Sequence, residues 1–212
     1  MNFDRVLILS PHTDDAELGC GGYITKLISE NKTLLWVVFS TAEESLPDNL
    51  PPDTLVKEFE AVMKSLNLKK DQYRVYNFKV RQLPDNRQEI LEILNNLKNE
   101  FHPSLVIGPS LNDYHQDHAV IANEMVRAFK TTSSIISYEL PWNHLEFRSQ
   151  FFVKLDEENM IKKISLLNKY QSQMYIKRHY FTEDFIRGLA LTRGAQINHK
   201  YAEAFDVIRM VI

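Results

Sequence analysis

The chain has a single cysteine, Cys20, in 212 residues. That excludes an internal disulfide framework and fits a reducing compartment. No apolar stretch approaches the ~20 residues that a membrane-spanning helix needs. Nor is there an excess of one charge: 25 lysines and arginines against 28 aspartates and glutamates leave a net charge of −3. Without a basic run, nucleic acid has no electrostatic footprint to bind. No internal repeat, low-complexity tract or linker breaks the sequence. The opening MNFDRVLILSPH has a short apolar run with no cleavage-site pattern, so it reads as a first strand rather than a signal peptide. The expectation is a soluble, cytoplasmic protein. What is present is ordinary globular material, 44% hydrophobic and 25% charged, in a length that suits one domain spanning 1–212.

Hydrophobic patterning alternates. RVLILS (5–10) is a compact apolar run of the kind that forms a strand buried on both faces. Residues 16–31 follow with Leu18, Ile24, Leu27 and Ile28 at near-helical spacing, then a second strand over 33–41. Three prolines make 45–53 a loop. A helix over 54–67 places Leu55, Phe59, Val62, Met63 and Leu66 on one face. Strands near 73–80, 104–110 and 134–140 alternate with helices near 86–100 and 117–130. Such repeated strand–helix–strand units predict an α/β fold with a doubly wound, mostly parallel sheet flanked by helices. The tail differs: a strand over 151–156, helices over 157–173 and 182–196, and a closing strand over 204–212 predict an irregular C-terminal α/β extension.

Two of the strands run into unusual chemistry. The first delivers His12, Asp14 and Asp15; the fourth delivers Asp113, His115, Asp117 and His118. In open α/β sheets, ligands bind beyond the carboxyl ends of the strands, so the two clusters can converge. Adjacent aspartates repel one another unless a cation or proton compensates them. Two imidazoles and a carboxylate with open positions make a catalytic zinc shell that keeps room for water or substrate. Taken singly, an aspartate before a helix also serves as a cap, and HQDH reads as a polar loop. Following two apolar strands in one alternating chain, the pair favours a metal. GCGG is too short for the G-x-G-x-x-G turn of a dinucleotide site. Gly19, Gly21 and Gly22 let the backbone turn or approach closely, and Cys20 reads as a small packing residue.

PHTDDAELGCGG followed by DYHQDH resembles the LmbE-like, or PIG-L, family of zinc-dependent N-deacetylases. The likeness extends through YQSQ (170–173), RG (193–194) and YAEAF (201–205). It implies a Rossmann-like fold and removal of acyl groups from amino sugars or their conjugates. By the same resemblance His12, Asp15 and His118 match zinc ligands, Asp14 the general base, His115 the transition-state stabiliser, and Asp117 the partner that orients a histidine. Zn2+ is the implied cofactor, with Fe2+ as the other candidate. Thr13 and Gln116 replace prolines common in the family, which puts the rigidity of both loops in question. Lys57 is the candidate for a basic residue often found after the second strand.

For substrate, Arg81 and Arg87 suit a phosphate or carboxylate, which tilts the expectation toward a phosphate- or nucleotide-linked sugar. Trp142 could stack on a sugar face, with Glu139 and Asn143 bonding hydroxyls. The partner is a small amino-sugar molecule, and assembly into a homo-oligomer is left open. Two other functions fit the same residues. One is a non-haem Fe(II) oxygenase using His12, Asp14 and a distant histidine; the other is a catalytically silent sugar-binding protein.

Overall fold

The computed structural model describes residues 3–211. Its core is one seven-stranded sheet in the order β3-β2-β1-β4-β5-β7-β6. Five strands are parallel: β1 (Arg5–Ser10), β2 (Thr33–Val38), β3 (Tyr73–Val75), β4 (Leu105–Gly108) and β5 (Ser134–Tyr138). One runs against them, β7 (Tyr201–Arg209) beside β5, and β6 (Phe151–Leu155) pairs antiparallel with β7 at the edge. The C-terminal part therefore continues the main sheet as an antiparallel margin.

Because β1 is apolar at every inward position, it supplies both faces. Val6 and Ile8 join one core, which contains residues of α1 (Asp15–Ser29), α2 (Thr54–Ser65), α5 (Glu157–Leu167) and α7 (Glu183–Ala195). Leu7 and Leu9 join the other, under α3 (Arg87–Phe101) and α4 (Gln116–Phe129). This two-sided covering is the reason parallel strands read as continuous hydrophobic runs.

Beside β1 the winding reverses: β2 and β3 lie to one side, β4 and β5 to the other. Such a reversal leaves a crevice beyond the carboxyl ends of the two central strands. The loops leaving β1 and β4 border it, and these carry the His12 and His118 clusters.

Several boundaries differ from the sequence expectation. The third strand ends at Val75 rather than 80, although the Tyr76 and Phe78 N–H groups still donate to the Val38 and Phe39 carbonyls. The helix expected over 157–173 breaks after Leu167 and resumes as a short α6 (Gln171–Tyr175), releasing Tyr170 to bond elsewhere. The closing strand starts at Tyr201, three residues early, and ends at Arg209; residue 212 lies outside the described residues.

The first helix is kinked at Cys20, whose φ of −147° is not helical. None of its glycines adopts a positive φ, so they serve close approach and not a turn. A Cβ on Gly19 would meet the Tyr138 ring at 2.5 Å, and one on Gly22 would meet Leu155 at 2.4 Å. The kink exposes main-chain groups that a buried ion pair then satisfies. Glu203 accepts the Gly22 and Tyr23 N–H groups at 2.8 and 2.7 Å, Lys163 donates to the Leu18 carbonyl at 2.7 Å, and the two side chains pair at 2.7 Å.

Candidate active site

The loop after β1 turns so that the His12 N–H donates to Asp15 Oδ2 at 2.7 Å, fixing the carboxylate beside its own loop. After the facing loop, His118 lies in the first turn of α4 and is 2% exposed. Three side-chain atoms then meet in a nearly equilateral triangle. His12 Nδ1 to Asp15 Oδ2, His118 Nε2 to Asp15 Oδ2, and His118 Nε2 to His12 Nδ1 each measure 3.2 Å. A tetrahedral zinc with bonds of about 2.0 Å holds its ligands roughly 3.3 Å apart, so these donors have the right type and spacing for that ion.

Each ring is oriented from behind. Asp117 Oδ2 lies 2.9 Å from His12 Nε2, and Asp113 Oδ2 lies 2.8 Å from His118 Nδ1. Carboxylates in that position fix ring orientation and leave the other nitrogen as the ligand. The electrostatics favour positive charge at this point. Burial opposes charge on both rings, yet Asp15 and the orienting carboxylates lift His12 to about 9 and His118 to about 10. Burial by itself would raise Asp15, but the two imidazoles hold it well below the usual carboxylate range.

Asp14 stands outside the triangle. Burial and the neighbouring Asp15 charge push its carboxyl up to about 6, the direction that suits a proton carrier. The carboxylate in the triangle is thus Asp15 and not Asp14, which removes the geometry that the His12, Asp14 and distant-histidine oxygenase triad required. His115 completes the group: ring nitrogens of His12, His115 and His118 all lie within 4.8 Å of one another, a set that could itself hold a metal. The His115 Nδ1 accepts the Asp117 N–H at 3.2 Å, leaving Nε2 to carry the ring hydrogen. Burial, then the neighbouring rings of His118 and His12, lower its pKa, so it is a neutral donor.

These residues line a cavity of about 260 Å³, together with Trp142, Asn143, Gln173, Arg178 and Tyr180. A second depression of about 490 Å³ shares His115, Trp142 and Asn143 and is edged by Tyr114 and Leu145. Of the substrate candidates from sequence, Trp142 and Asn143 are therefore in place.

The other three are not. Arg81 works through its main chain: its N–H donates to Asp117 Oδ2 at 2.6 Å, and its guanidinium is absent from the cavity wall. Arg87 pairs with buried Glu124 between α3 and α4. Glu139 is taken up by a bidentate pairing with Arg193 and lies behind Trp142, in a separate small cavity. Lys57 is exposed and pairs with Asp53 along α2. Both unusual loop residues are braced. The Thr13 carbonyl accepts the Tyr170 hydroxyl at 2.6 Å, and Gln116 Nε2 donates to the Arg81 carbonyl at 3.1 Å.

Sequence reasoning passed over Arg178 and Tyr180, and gave Gln173, the last residue of the YQSQ stretch, no role. They sit in the segment expected to be the end of a helix and the turn after it, with no spacing to mark them. Asp113 was visible as part of the second cluster but carried no role; its bond to His118 supplies one.

Comparison with known proteins places the family and the fold. The PIG-L family model, described as GlcNAc-PI de-N-acetylase, matches residues 7–129. The chain is 27% identical over 173 residues to a protein of Escherichia coli (strain K12) described as the uncharacterized deacetylase YaiS, covering 79% of this chain and 90% of that one. Among solved structures, N,N'-diacetylchitobiose deacetylase from Pyrococcus horikoshii superimposes with a TM-score of 0.81 at 20% identity, over 98% of this chain and 84% of that one. The 4-carboxy-2-hydroxymuconate hydratase GalB from Pseudomonas putida KT2440 does so with a TM-score of 0.78 at 19% identity, over 99% and 98%. Since one architecture carries both a deacetylase and a hydratase, the likeness establishes the fold, and the chemistry must be argued from the site.

Proposed function

This chain belongs to the PIG-L family, and from that premise we propose that it is a metal-dependent hydrolase that removes an acetyl group from an N-acetylated amino sugar or sugar conjugate. The observation that carries the reading is the 3.2 Å triangle of His12, Asp15 and His118 with the free carboxylate of Asp14 beside it. Those three residues would hold Zn2+, with Fe2+ the other candidate. Asp15 is preferred to His115 as the third ligand because its oxygen stands 3.2 Å from both other donors, while His115 Nδ1 is engaged with the Asp117 N–H. Bound there, zinc would supply a water that ionises near pH 7 and polarise the acyl oxygen.

The chain's own groups do the rest. Asp14 takes the proton of the attacking water and delivers it to the amide nitrogen as the C–N bond breaks, so that water and amide become acetate and free amine. His115, a neutral donor, hydrogen-bonds the acyl oxygen as charge builds on it. Asp117 and Asp113 hold the two ligand rings still. Trp142 offers a flat wall for the sugar ring. Among the described residues no helix is long and apolar enough to cross a membrane, and the one cysteine is free and buried; both support a cytoplasmic setting.

The test is acetate release from free, nucleotide-linked and lipid-linked N-acetylglucosamine, with metal-free enzyme and after zinc is restored. Zinc-dependent release from one of them is expected. No release from any, with zinc shown to be bound, would overturn the deacetylase reading and favour the silent binding protein.

A further inference from the structure

The cavity carries a cation that the proposed reaction leaves without a task. Arg178 lies between α6 and the turn at His179–Phe181, and it is the only arginine or lysine among the described residues lining the cavity. Five other arginines are paired with carboxylates: Arg74 with Glu100, Arg87 and Arg127 with Glu124, Arg187 with Glu157 and Glu183, Arg193 with Glu139. Arg178 has no carboxylate within ion-pair distance among the described residues. Its Nε donates to the neutral Gln173 Oε1 at 3.0 Å, and its guanidinium carbon stands 5.9 Å from the Tyr180 ring centre. Its hydrogen bonds go to Gln173 and Tyr180, and the negative charge it feels is that of Asp14 in the same cavity, so the guanidinium is half-buried without a direct ion pair and keeps donors for a ligand.

That arrangement is built and not incidental. Glu58 of α2, the carboxylate that grips this segment, accepts the Ser172 N–H at 2.8 Å and its hydroxyl at 2.6 Å. Ser172 Oγ in turn accepts from Gln173 Nε2 at 3.3 Å, and Gln173, itself buried, takes the Arg178 Nε–H. On the far side, Trp142 stacks flat on Tyr180, with centroids 3.9 Å apart and planes 9° from parallel. The guanidinium is thus held at the edge of an aromatic wall, in a cavity that also holds the carboxyl groups of Asp14 and Asp15, and among the described residues there it is the one arginine or lysine that offers an anion a positive charge.

We propose that Arg178 is the specificity-determining residue of this cleft, and that the substrate is an amino-sugar conjugate bearing an anionic group, a carboxylate or a phosphate, which the guanidinium binds. This deepens the deacetylase reading and rests on it. A planar fork suits both anions through paired N–H donors, and the two sources differ only in the compound that presents them.

The experiment uses the zinc-loaded protein and four N-acetylated compounds: methyl N-acetylglucosaminide as the neutral member, N-acetylglucosamine 1-phosphate and 6-phosphate, and N-acetylmuramic acid for the carboxylate. Wild type, Arg178→Gln and Arg178→Lys are compared by acetate release and by calorimetric binding, with thermal melts to show that the variants fold. At least one anionic compound should exceed the neutral one in kcat/KM by roughly tenfold to a hundredfold, the range of a charge-assisted hydrogen bond. That ratio should fall close to one in Arg178→Gln, through KM, recover in part in Arg178→Lys, and shrink as salt is raised. The phosphates or the muramic acid, whichever keeps the advantage, identifies the anion. If no anionic compound is preferred, or Arg178→Gln lowers all four equally, the proposal is overturned. Should none be hydrolysed, binding still decides: an Arg178-dependent preference for the anions keeps this inference while the deacetylase reading falls, and no preference removes both.

Discussion

The Asp117 carboxylate lies 2.9 Å from His12 Nε2 while the same oxygen accepts the Arg81 N–H at 2.6 Å. One side chain from the start of α4 therefore orients a metal-ligand candidate on the β1 loop and is itself held by the backbone of a third segment. Leu83 N–H adds a longer bond at 3.3 Å to its other oxygen. These donors hold the carboxylate ionised against its burial, with a pKa below the ordinary value. Replacing it by alanine should free the His12 ring and lower zinc affinity by about tenfold to a hundredfold. Competition with a chromogenic chelator measures this, and a melt reports the separate loss of the anchor for residues 81–83. Unchanged affinity would mean that His12 is positioned by packing alone.

Asp14 gives the sharpest separation between binding a metal and moving a proton. Since its carboxylate is not part of the 3.2 Å triangle, Asp14→Asn should retain one metal per chain. Acetate release should fall by roughly a hundred- to ten-thousandfold, the usual contribution of a positioned acid–base group. Metal analysis of the purified variant beside its turnover provides the check. Loss of metal in Asp14→Asn would exchange the roles of the two aspartates.

Much of this was legible in the sequence because two physical signals coincide. Apolar runs such as RVLILS are diagnostic where both sheet faces are covered, and the two His/Asp clusters directly follow such strands. A parallel sheet puts both clusters at one edge, and the pairing of β1 with β4 brings them together. What was hidden depends on tertiary pairing. Arg87 and Glu139 looked like substrate contacts until Glu124 and Arg193 were found opposite them, and neither partner is near in sequence. Arg178 was hidden for the converse reason: its significance is the lack of a carboxylate partner, which no spacing reveals. The short motifs of the tail turn out to act on the front of the chain. Tyr170 braces the His12 loop, Arg193 holds Glu139 behind Trp142, and Glu203 caps the kink in α1.

The Tyr170 hydroxyl also sits 2.6 Å from Glu17 Oε1, as close as it is to the Thr13 carbonyl. One hydroxyl hydrogen cannot serve two acceptors at that distance. The contacts are both satisfied if the hydroxyl donates to Thr13 and a protonated Glu17 donates to the hydroxyl. Burial pushes the Glu17 pKa well up, in agreement. Glu17→Gln supplies an N–H donor in the same place and should be within about 1 kcal/mol of wild type at neutral pH. Glu17→Ala leaves a cavity and removes the donor, and should cost about 2 to 4 kcal/mol. Denaturant melts of the two variants test the hydrogen count. A Gln variant as unstable as the Ala variant would show that Glu17 is held as a carboxylate.

The Lys163–Glu203 pair makes the strongest stability prediction, because each charge has a second task at the α1 kink. Glu203 sits at the amino end of the helical segment that restarts after Cys20, where a negative charge is favoured, and Lys163 meets the carbonyl of Leu18 where the first segment ends. Glu203→Gln leaves a buried ammonium without its counter-charge; Lys163→Met leaves a buried carboxylate on two N–H groups. Each should cost about 3 to 5 kcal/mol, as breaking one side of a buried pair does. The double variant should cost less than the sum, since neither charge remains to be stranded. A functional consequence goes with it. Asp15 opens the same helix, so loosening the kink should weaken zinc binding as well as stability, although both residues lie outside the cavity. Urea melts with and without zinc separate the effects: a variant destabilised equally in both conditions would show that the kink serves the fold alone.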